Sequence, residues 1–166
     1  MKFKEIYEKI QQSKIFKDFI EKNPEAEFCA GFFVMDFLSN DNKSSVDYKV
    51  GEKIFTFDLT KDDDVLIKED RLMDIPDVPK LTKIKPEVKI ELDELKSIAG
   101  VQALDHGISA KMHKIIAVLQ NYEGKQAWNL TCVFDQLIIL HIIIDSETGE
   151  ILKYERRSMM DLIRKK

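Results

Sequence analysis

The acidic segment of residues 58–69 has the residue types and the length of a calcium-binding EF-hand loop. Five of its loop positions carry the carboxylate or hydroxyl oxygens that a hard cation prefers: Asp58, Thr60, Asp62, Asp64 and Glu69. Asp63, however, stands at the sixth position, where the sharp turn requires glycine, and the flanking residues are typical of strands rather than helices. We therefore expect a solvated acidic hairpin tip and predict no metal site.

The three histidines, His106, His113 and His141, show no spacing typical of metal ligands. His106 and His113 stand on either side of a predicted helix end, and His141 lies in an apolar strand whose register decides which way it faces. A zinc site needs three or four converging ligands. We expect surface or hydrogen-bonded histidines.

The two cysteines, Cys29 and Cys132, lie in apolar, strand-like stretches without a neighbouring base or a CxxC partner. Both are predicted to be buried thiols that pack as small hydrophobic side chains. Charged residues interrupt the N-terminus every second or third position, so no signal peptide is expected there. We expect a cytoplasmic protein, in which a disulfide between the two cysteines is disfavoured.

Motifs for catalysis are absent from the sequence. It contains no glycine-rich phosphate loop, no nucleophile elbow and no histidine–cysteine pairing. Although a triad can assemble from distant residues, we predict no catalytic residues, no cofactor and a non-enzymatic protein.

The composition limits the class of protein further. The chain has 166 residues, of which 44% are hydrophobic and 34% charged, and this excludes a disordered tail, a collagen-like chain and a disulfide scaffold. The formal net charge of −4 argues against nucleic acid as a partner. The longest apolar run, residues 137–144, is interrupted by His141 and is too short to span a bilayer, so a membrane partner is not expected either.

Three of the four prolines, Pro76, Pro79 and Pro86, lie close together in a segment without helical periodicity. We interpret residues 76–86 as an extended linker between two units, residues 1–75 and 87–166.

Each unit is predicted to be a helix on an antiparallel sheet, which gives an α+β fold. In the first unit, a helical pattern over residues 6–20 stops at Asn23 and Pro24. The second unit opens with a helix for which Asp93 is the predicted N-cap and Gly107 the stop, and Gly100 inside it marks a kink or a close approach to the sheet. Four strands follow each helix: residues 27–38, 46–50, 53–59 and 65–69, and then 114–120, 127–134, 137–144 and 150–156.

The last hairpin has a physical explanation of its own. Asp145 can accept backbone N–H bonds across the turn, and Gly149 supplies the positive φ that other residues resist. Trp128, early in a strand, is predicted to cover the helix with its apolar ring, with a recognition role as the alternative.

Two stretches of the second unit resemble the PepSY domain family. These are residues 124–130 (GKQAWNL) and residues 144–152 (IDSETGEIL). The family has a cystatin-like layout with a tryptophan early in a strand and a closing Asp-x-x-Thr-Gly hairpin, which match Trp128, Asp145, Thr148 and Gly149. The resemblance is clearest over residues 90–155, and the first unit, which shares only the order of elements and the final strand, is predicted to be a degenerate second copy.

The resemblance implies a function in binding. PepSY domains occur in the propeptides of secreted metallopeptidases, where they are associated with inhibition. Our leading hypothesis is therefore a binding or regulatory module, in the manner of a peptidase inhibitor, that holds a protein or peptide through an exposed sheet face or edge. The alternative is a small-molecule-binding or hydrolytic protein with a cleft between helix and sheet. A homodimer formed through an unpaired edge strand is a third hypothesis.

The C-terminal residues 158–166 begin with a Ser-x-x-Asp pattern typical of a helix N-terminus. A basic amphipathic helix is predicted here, docked on its own domain or attached to an acidic partner or anionic membrane surface.

Overall fold

The structure is a computed structural model that describes residues 2–71 and 81–158. These residues form three α-helices and eight β-strands in one antiparallel sheet, so the predicted α+β class is confirmed. The helices are α1 (Phe3–Gln12), α2 (Lys14–Lys22) and α3 (Leu95–Asp105). The strands are β1 (Glu27–Asp36), β2 (Lys43–Val50), β3 (Lys53–Leu59), β4 (Val65–Arg71), β5 (Met112–Tyr122), β6 (Lys125–Phe134), β7 (Ile138–Asp145) and β8 (Ile151–Ser158).

The strand order in the sheet is β4-β3-β2-β1-β5-β6-β7-β8. Each set of four strands is a meander, as expected when short turns connect antiparallel neighbours. The two meanders meet where β1 pairs antiparallel with β5, and Phe33 lies opposite Ala117 in this pairing. The sheet is therefore continuous from the first half of the chain to the second.

The first helical segment is two helices rather than the single predicted one. Ser13 separates them in an extended conformation, with φ −69° and ψ 146°. Its hydroxyl oxygen accepts the N–H of Phe16 at 3.3 Å, which caps α2, and it donates to the carbonyl of Ile10 at 2.6 Å. The break shifts the apolar register, so Phe16 and Phe19 are buried while Ile15 is exposed.

The start of α3 also differs from the prediction, because Asp93 is not its N-cap. A single 3-10 turn, Leu92–Glu94, precedes α3, and Glu91 caps it by accepting the N–H of Leu92, while the Glu94 carboxylate accepts the N–H of Glu91. The prediction that Gly100 closely approaches the sheet is wrong, since a Cβ placed there would meet no atom of the sheet within 4 Å.

The hydrophobic core lies on one face of the sheet, which we call the core face. It joins the buried sides of the helices to alternate residues of the strands, among them Phe3, Ile6, Phe16, Leu95, Phe33, Phe57, Trp128, Leu130 and Ile142. Phe3 of α1 packs its ring 6.2 Å from that of Trp128 on β6. The core is therefore shared between the two halves of the chain.

Part of the predicted linker is fixed against the sheet. Ile84 is buried, and its N–H donates to the carbonyl of Phe28 at 2.9 Å. Gln126 accepts the N–H of Lys85 and donates to its carbonyl, both at 2.8 Å. Residues 76–80 of that linker and residues 159–166 of the predicted C-terminal helix lie outside the described residues, and Ser158 ends β8.

Candidate functional site

Trp128 lies in the middle of the core face and has no solvent exposure. The rings of Phe3 and Phe33 pack edge-on against its indole, with centroids 6.2 and 5.8 Å away. The indole Nε1 donates to the carbonyl oxygen of Ile90 at 2.8 Å. Because the whole side chain is enclosed, it offers no surface to a partner in this folded state.

The hairpin between β7 and β8 is built by Asp145, Thr148 and Gly149. An oxygen of the Asp145 carboxylate accepts the N–H of Glu147 at 2.8 Å and that of Thr148 at 3.3 Å. The Thr148 hydroxyl oxygen accepts the N–H of Glu150 at 3.2 Å. Gly149 has a φ of +78°, which lies in the left-handed region that favours glycine. The hydrogen bonds of these residues stay within the turn, so their role here is to stabilise the hairpin.

The acidic segment of residues 58–69 forms the tip and flanks of the β3–β4 hairpin. Asp63 lies at its tip with a φ of +61°, and the ammonium of Lys9 contacts its carboxylate at 3.0 Å. A second lysine, Lys68, lies 3.5 Å from the carboxylate of Asp58. Across the described residues, no group of three or more His, Cys, Asp or Glu side chains could hold a metal ion.

The three histidines each have a separate partner. The ring of His106 stacks on Tyr154, with centroids 3.6 Å apart. His113 contacts the carboxylate of Asp135 through Nε2, and His141 contacts the side-chain oxygen of Asn129 at 2.6 Å. The pKa of His141 is lowered, first by partial burial and then by the nearby charges of Lys153 and Arg157.

Both cysteines are free and fully buried. Burial raises the pKa of each thiol to about 12, and the carboxylate of Asp47 adds to this effect at Cys29. Neither thiol is placed or ionised for nucleophilic chemistry at neutral pH.

Strands β1 and β5, at the centre of the sheet, also carry apolar side chains on the face opposite the core, which we call the open face. Phe32 pairs with Val118, and Val34 pairs with Ile116. Phe32 is 39% exposed, and the other three are half-buried. These four side chains, the central patch, form an apolar surface in the middle of the open face.

Sequence reasoning missed the central patch, although one signal for it was present. A strand with one solvent-exposed face alternates apolar and polar residues, whereas residues 28–34 of β1 are apolar or glycine throughout. Such a run indicates contacts on both faces of the strand. In β3, Phe57 is buried on the core face, and Ile54 is buried on the open face as well.

Polar side chains surround the central patch on the outer strands. On β2 and β3, the Thr56 hydroxyl donates to the Asp47 carboxylate at 2.7 Å, and burial raises the pKa of Asp47. On β6 and β7, Asn129 and His141 form the pair described above. The central patch therefore has polar neighbours on both sides, although the outer strands also place Ile54, Leu66, Ile139 and Ile143 on the open face.

A cavity of about 490 Å³ lies between α1 and residues 86–91. Lys4, Glu8, Gln11 and Glu87 contribute polar groups to its lining. Two further polar groups are already engaged, since the Glu91 carboxylate accepts the N–H of Phe3 at 2.8 Å and the Tyr7 hydroxyl bonds that of Tyr48. Two of the polar groups that line the cavity therefore already have partners.

Within the described residues, no helix has the length and apolar character needed to cross a bilayer.

No protein-family model matches the sequence, and no curated protein matches it either. Among solved structures, the crystal structure of a "putative lipoprotein" from Clostridium difficile 630 is similar in fold, with a TM-score of 0.57. The two proteins are 17% identical in sequence, and the match covers 86% of this chain and 90% of the other. At this identity the similarity concerns the fold alone.

Proposed function

We propose that this protein is a non-enzymatic protein-binding module and that its binding surface is the open face of the sheet. The central patch carries the proposal, because it places Phe32 and three further apolar side chains on the surface at the centre of a broad sheet. Clustered apolar side chains on a monomer's surface mark interaction sites more often than scattered ones do.

The arrangement of the open face has the anatomy of a protein interface. Interfaces combine an apolar centre with a polar, solvated rim, and aromatic residues are enriched at their centres. Here Phe32 lies on the central strand β1, and the charged residues Asp58 and Lys153 lie further out, on β3 and β8. In the part of the chain that the structure describes, the helices pack on the core face, so the open face is presented without further rearrangement.

The PepSY resemblance supports the same class of function. Trp128 and the hairpin of Asp145, Thr148 and Gly149 would be the fold signature of the second unit, and the first unit would be a degenerate copy beside it. By this resemblance a peptidase, held in an inhibitor-like complex, would be one candidate for the bound protein. The cytoplasmic location stays a prediction.

A small-molecule or hydrolytic function has less support. The cavity beside α1 lies between that helix and residues 86–91, away from the three histidines, and its lining includes Tyr7 and Glu91, which are already hydrogen-bonded. Neither cysteine has the exposure or lowered pKa of a nucleophile.

The test compares binding by the wild-type chain with binding by the variant Phe32→Asp, which places a charge in the central patch. Each chain is immobilised and exposed to lysate of the source cells and to free copies of the wild-type chain. Leu104→Asp is the matched control, because Leu104 is 68% exposed on α3.

We expect at least one protein, a second copy included, to be retained by the wild type and the control and lost by Phe32→Asp. Retention that is equal on all three chains, or no specific retention on the wild type, would contradict the proposed function.

A further inference from the structure

The charges on the open face are distributed unequally between its two halves. Across β1–β4 the described residues place five anions and three cations there: Glu27, Asp36, Asp47, Asp58 and Asp70, with Lys43, Lys49 and Lys68. Across β5–β8 they place four cations and two anions: Lys114, Lys125, Lys153 and Arg157, with Asp145 and Glu155. One half is therefore acidic and the other basic, and the central patch lies on the boundary between them.

From this polarity we infer that the open face binds the open face of a second copy of this chain, which gives an isologous dimer. The inference rests on the proposed function, because it names the partner that occupies the same surface. A twofold axis parallel to the strands, between β1 and β5, places the β1–β4 half of one copy over the β5–β8 half of the other. Acidic surface then meets basic surface on both sides of the axis.

The same axis brings the two central patches together. Phe32 lies beside the axis on β1, and its neighbour Val118 lies on the other side on β5. In the dimer, Phe32 of each copy covers Val118 of the other, so the most exposed apolar side chain of the patch leaves water. Apolar burial supplies affinity, and the charged halves fix the orientation.

The open face has the area that a stable dimer needs. Eight strands spaced by about 4.8 Å span about 33 Å, and the shortest strands have seven residues, or about 23 Å. The face therefore offers at most about 750 Å² per copy, and a dimer that used all of it would bury about 1,500 Å² in total, close to the size of standard stable interfaces.

Edge pairing is a less favourable route to a dimer. The edge strands of the sheet are β4 and β8. Strand β4 exposes Leu66 and Ile67, but Lys68, Glu69 and Asp70 follow them directly, and β8 carries Lys153, Glu155, Arg156 and Arg157. Charged side chains on an edge strand are a common means of preventing strand addition.

The mass of the full chain in solution tests the inference first. Sedimentation equilibrium at about 50 mM NaCl should give twice the chain mass of 19.3 kDa. Raising the salt to about 500 mM should weaken the dimer, because screening reduces the attraction between the two halves. Phe32→Asp should raise the dimer dissociation constant by about tenfold or more, whereas Leu104→Asp on the helical side should leave it unchanged.

A charge exchange tests the orientation. Asp58 and Lys153 lie on the same row across the sheet, which runs from β3 through Phe32 and Val118 to β8. The twofold axis brings Asp58 of one copy near Lys153 of the other. Asp58→Lys alone and Lys153→Glu alone should each weaken the homodimer, because each creates two like-charge contacts. An equal mixture of the two variants should form a heterodimer, because both contacts are then attractive.

Both charged side chains are partly exposed, 33% for Asp58 and 45% for Lys153, so the variants are expected to fold, and circular dichroism checks that they do. A monomeric wild type overturns the inference. A dimer that Phe32→Asp leaves intact also overturns it and indicates edge pairing. A mixture of Asp58→Lys and Lys153→Glu that fails to restore association overturns the inference as well. If the wild type is monomeric but captures another protein through Phe32, the proposed function stands and only the second copy is excluded.

Discussion

The carbonyl oxygen of Ile90 accepts the indole N–H of Trp128 at 2.8 Å, and Ile90 joins this tryptophan to the β7–β8 hairpin. The N–H of Ile90 donates to the carbonyl of Ser146 at 2.9 Å. Its Cδ1 lies 3.3 Å from the position that a Cβ on Gly149 would occupy. The residues that carry the PepSY resemblance therefore depend on one another through a segment that precedes α3.

Trp128→Phe should lower the free energy of unfolding by about 2–4 kcal/mol. The substitution removes the N–H that satisfies the Ile90 carbonyl, and it leaves unfilled volume between Phe3 and Phe33. Urea unfolding followed by far-UV circular dichroism measures the change, since Trp128 is the chain's single tryptophan and the variant has no tryptophan fluorescence.

Leu104→Ala is the control for this measurement. Leu104 is 68% exposed, so its truncation should change stability by no more than about 0.5 kcal/mol. If Trp128→Phe and Leu104→Ala lowered the free energy of unfolding equally, this would be evidence against the buried hydrogen bond.

Gly149→Ala and Gly124→Ala separate backbone strain from steric contact in the hairpins. Both glycines have positive φ, +78° and +83°, so each substitution should cost about 1 kcal/mol in backbone strain. Only at Gly149 does the new Cβ meet another side chain, that of Ile90. Gly149→Ala should therefore lower the thermal midpoint more than Gly124→Ala does.

Gly149→Val should cost more still, about 2 kcal/mol or more, because a β-branched side chain resists positive φ. Thermal unfolding of the three variants against the wild type gives the order. A valine at residue 149 that leaves the midpoint unchanged would rule out the turn described here.

Residues 87–166 should not fold when they are produced alone. Their core includes Trp128, whose ring packs against Phe3 and Phe33 of the other half, and β5 pairs with β1. Without these partners an apolar sheet edge and the tryptophan ring would be exposed to water. The NMR amide spectrum of the fragment should lack dispersion, and addition of residues 1–75 should restore it. A well-dispersed spectrum of the isolated fragment would show that the two halves are independent units.

The stability of the protein should fall as the pH drops below about 6.5, the ordinary pKa of histidine, in part because of His141. Burial and the charge of Lys153 lower the pKa of this histidine in the folded chain. Below the ordinary pKa, the unfolded chain therefore binds a proton at this residue more readily than the folded chain does. The stabilisation is present above the ordinary pKa and is lost as the pH falls towards the lowered one. His141→Gln should flatten this part of the profile, measured by urea unfolding between about pH 7 and pH 5.5. Parallel profiles for the two proteins would exclude His141 as a source of the slope.

Local features of the fold could be predicted from the sequence because they depend on short-range chemistry. Gly107 and Gly149 adopt positive φ where the pattern indicated a helix end and a turn. The Asp145 carboxylate accepts N–H groups two and three residues ahead, as its position in the turn predicted. The predicted β3, residues 53–59, matches the observed strand. Its apolar residues Phe55, Phe57 and Leu59 alternate with polar ones, and Gly51 and Glu52 form a tight turn before it.

The bounds of the helices were harder to predict from the sequence where two hydrogen-bonding arrangements are possible. The helical period ran through Ser13, yet the serine hydroxyl caps a new helix, so the segment divides into α1 and α2. Asp93 was an acceptable N-cap by residue type, but Glu91 and Glu94 satisfy each other's backbone N–H groups instead. In both places hydrogen bonds, which periodicity does not report, decided the outcome.

The sequence by itself determined the fold class, the strands and the residues of the turns, because each of these follows from periodicity and from the backbone preferences of single residues. Only the tertiary structure decided that β1 lies beside β5 and that Phe3 reaches Trp128, because pairing between distant strands leaves no local trace in the sequence. That pairing places Phe32 beside Val118 at the centre of the open face and separates the acidic from the basic strands. The candidate binding surface therefore exists only once the two halves of the chain share one sheet.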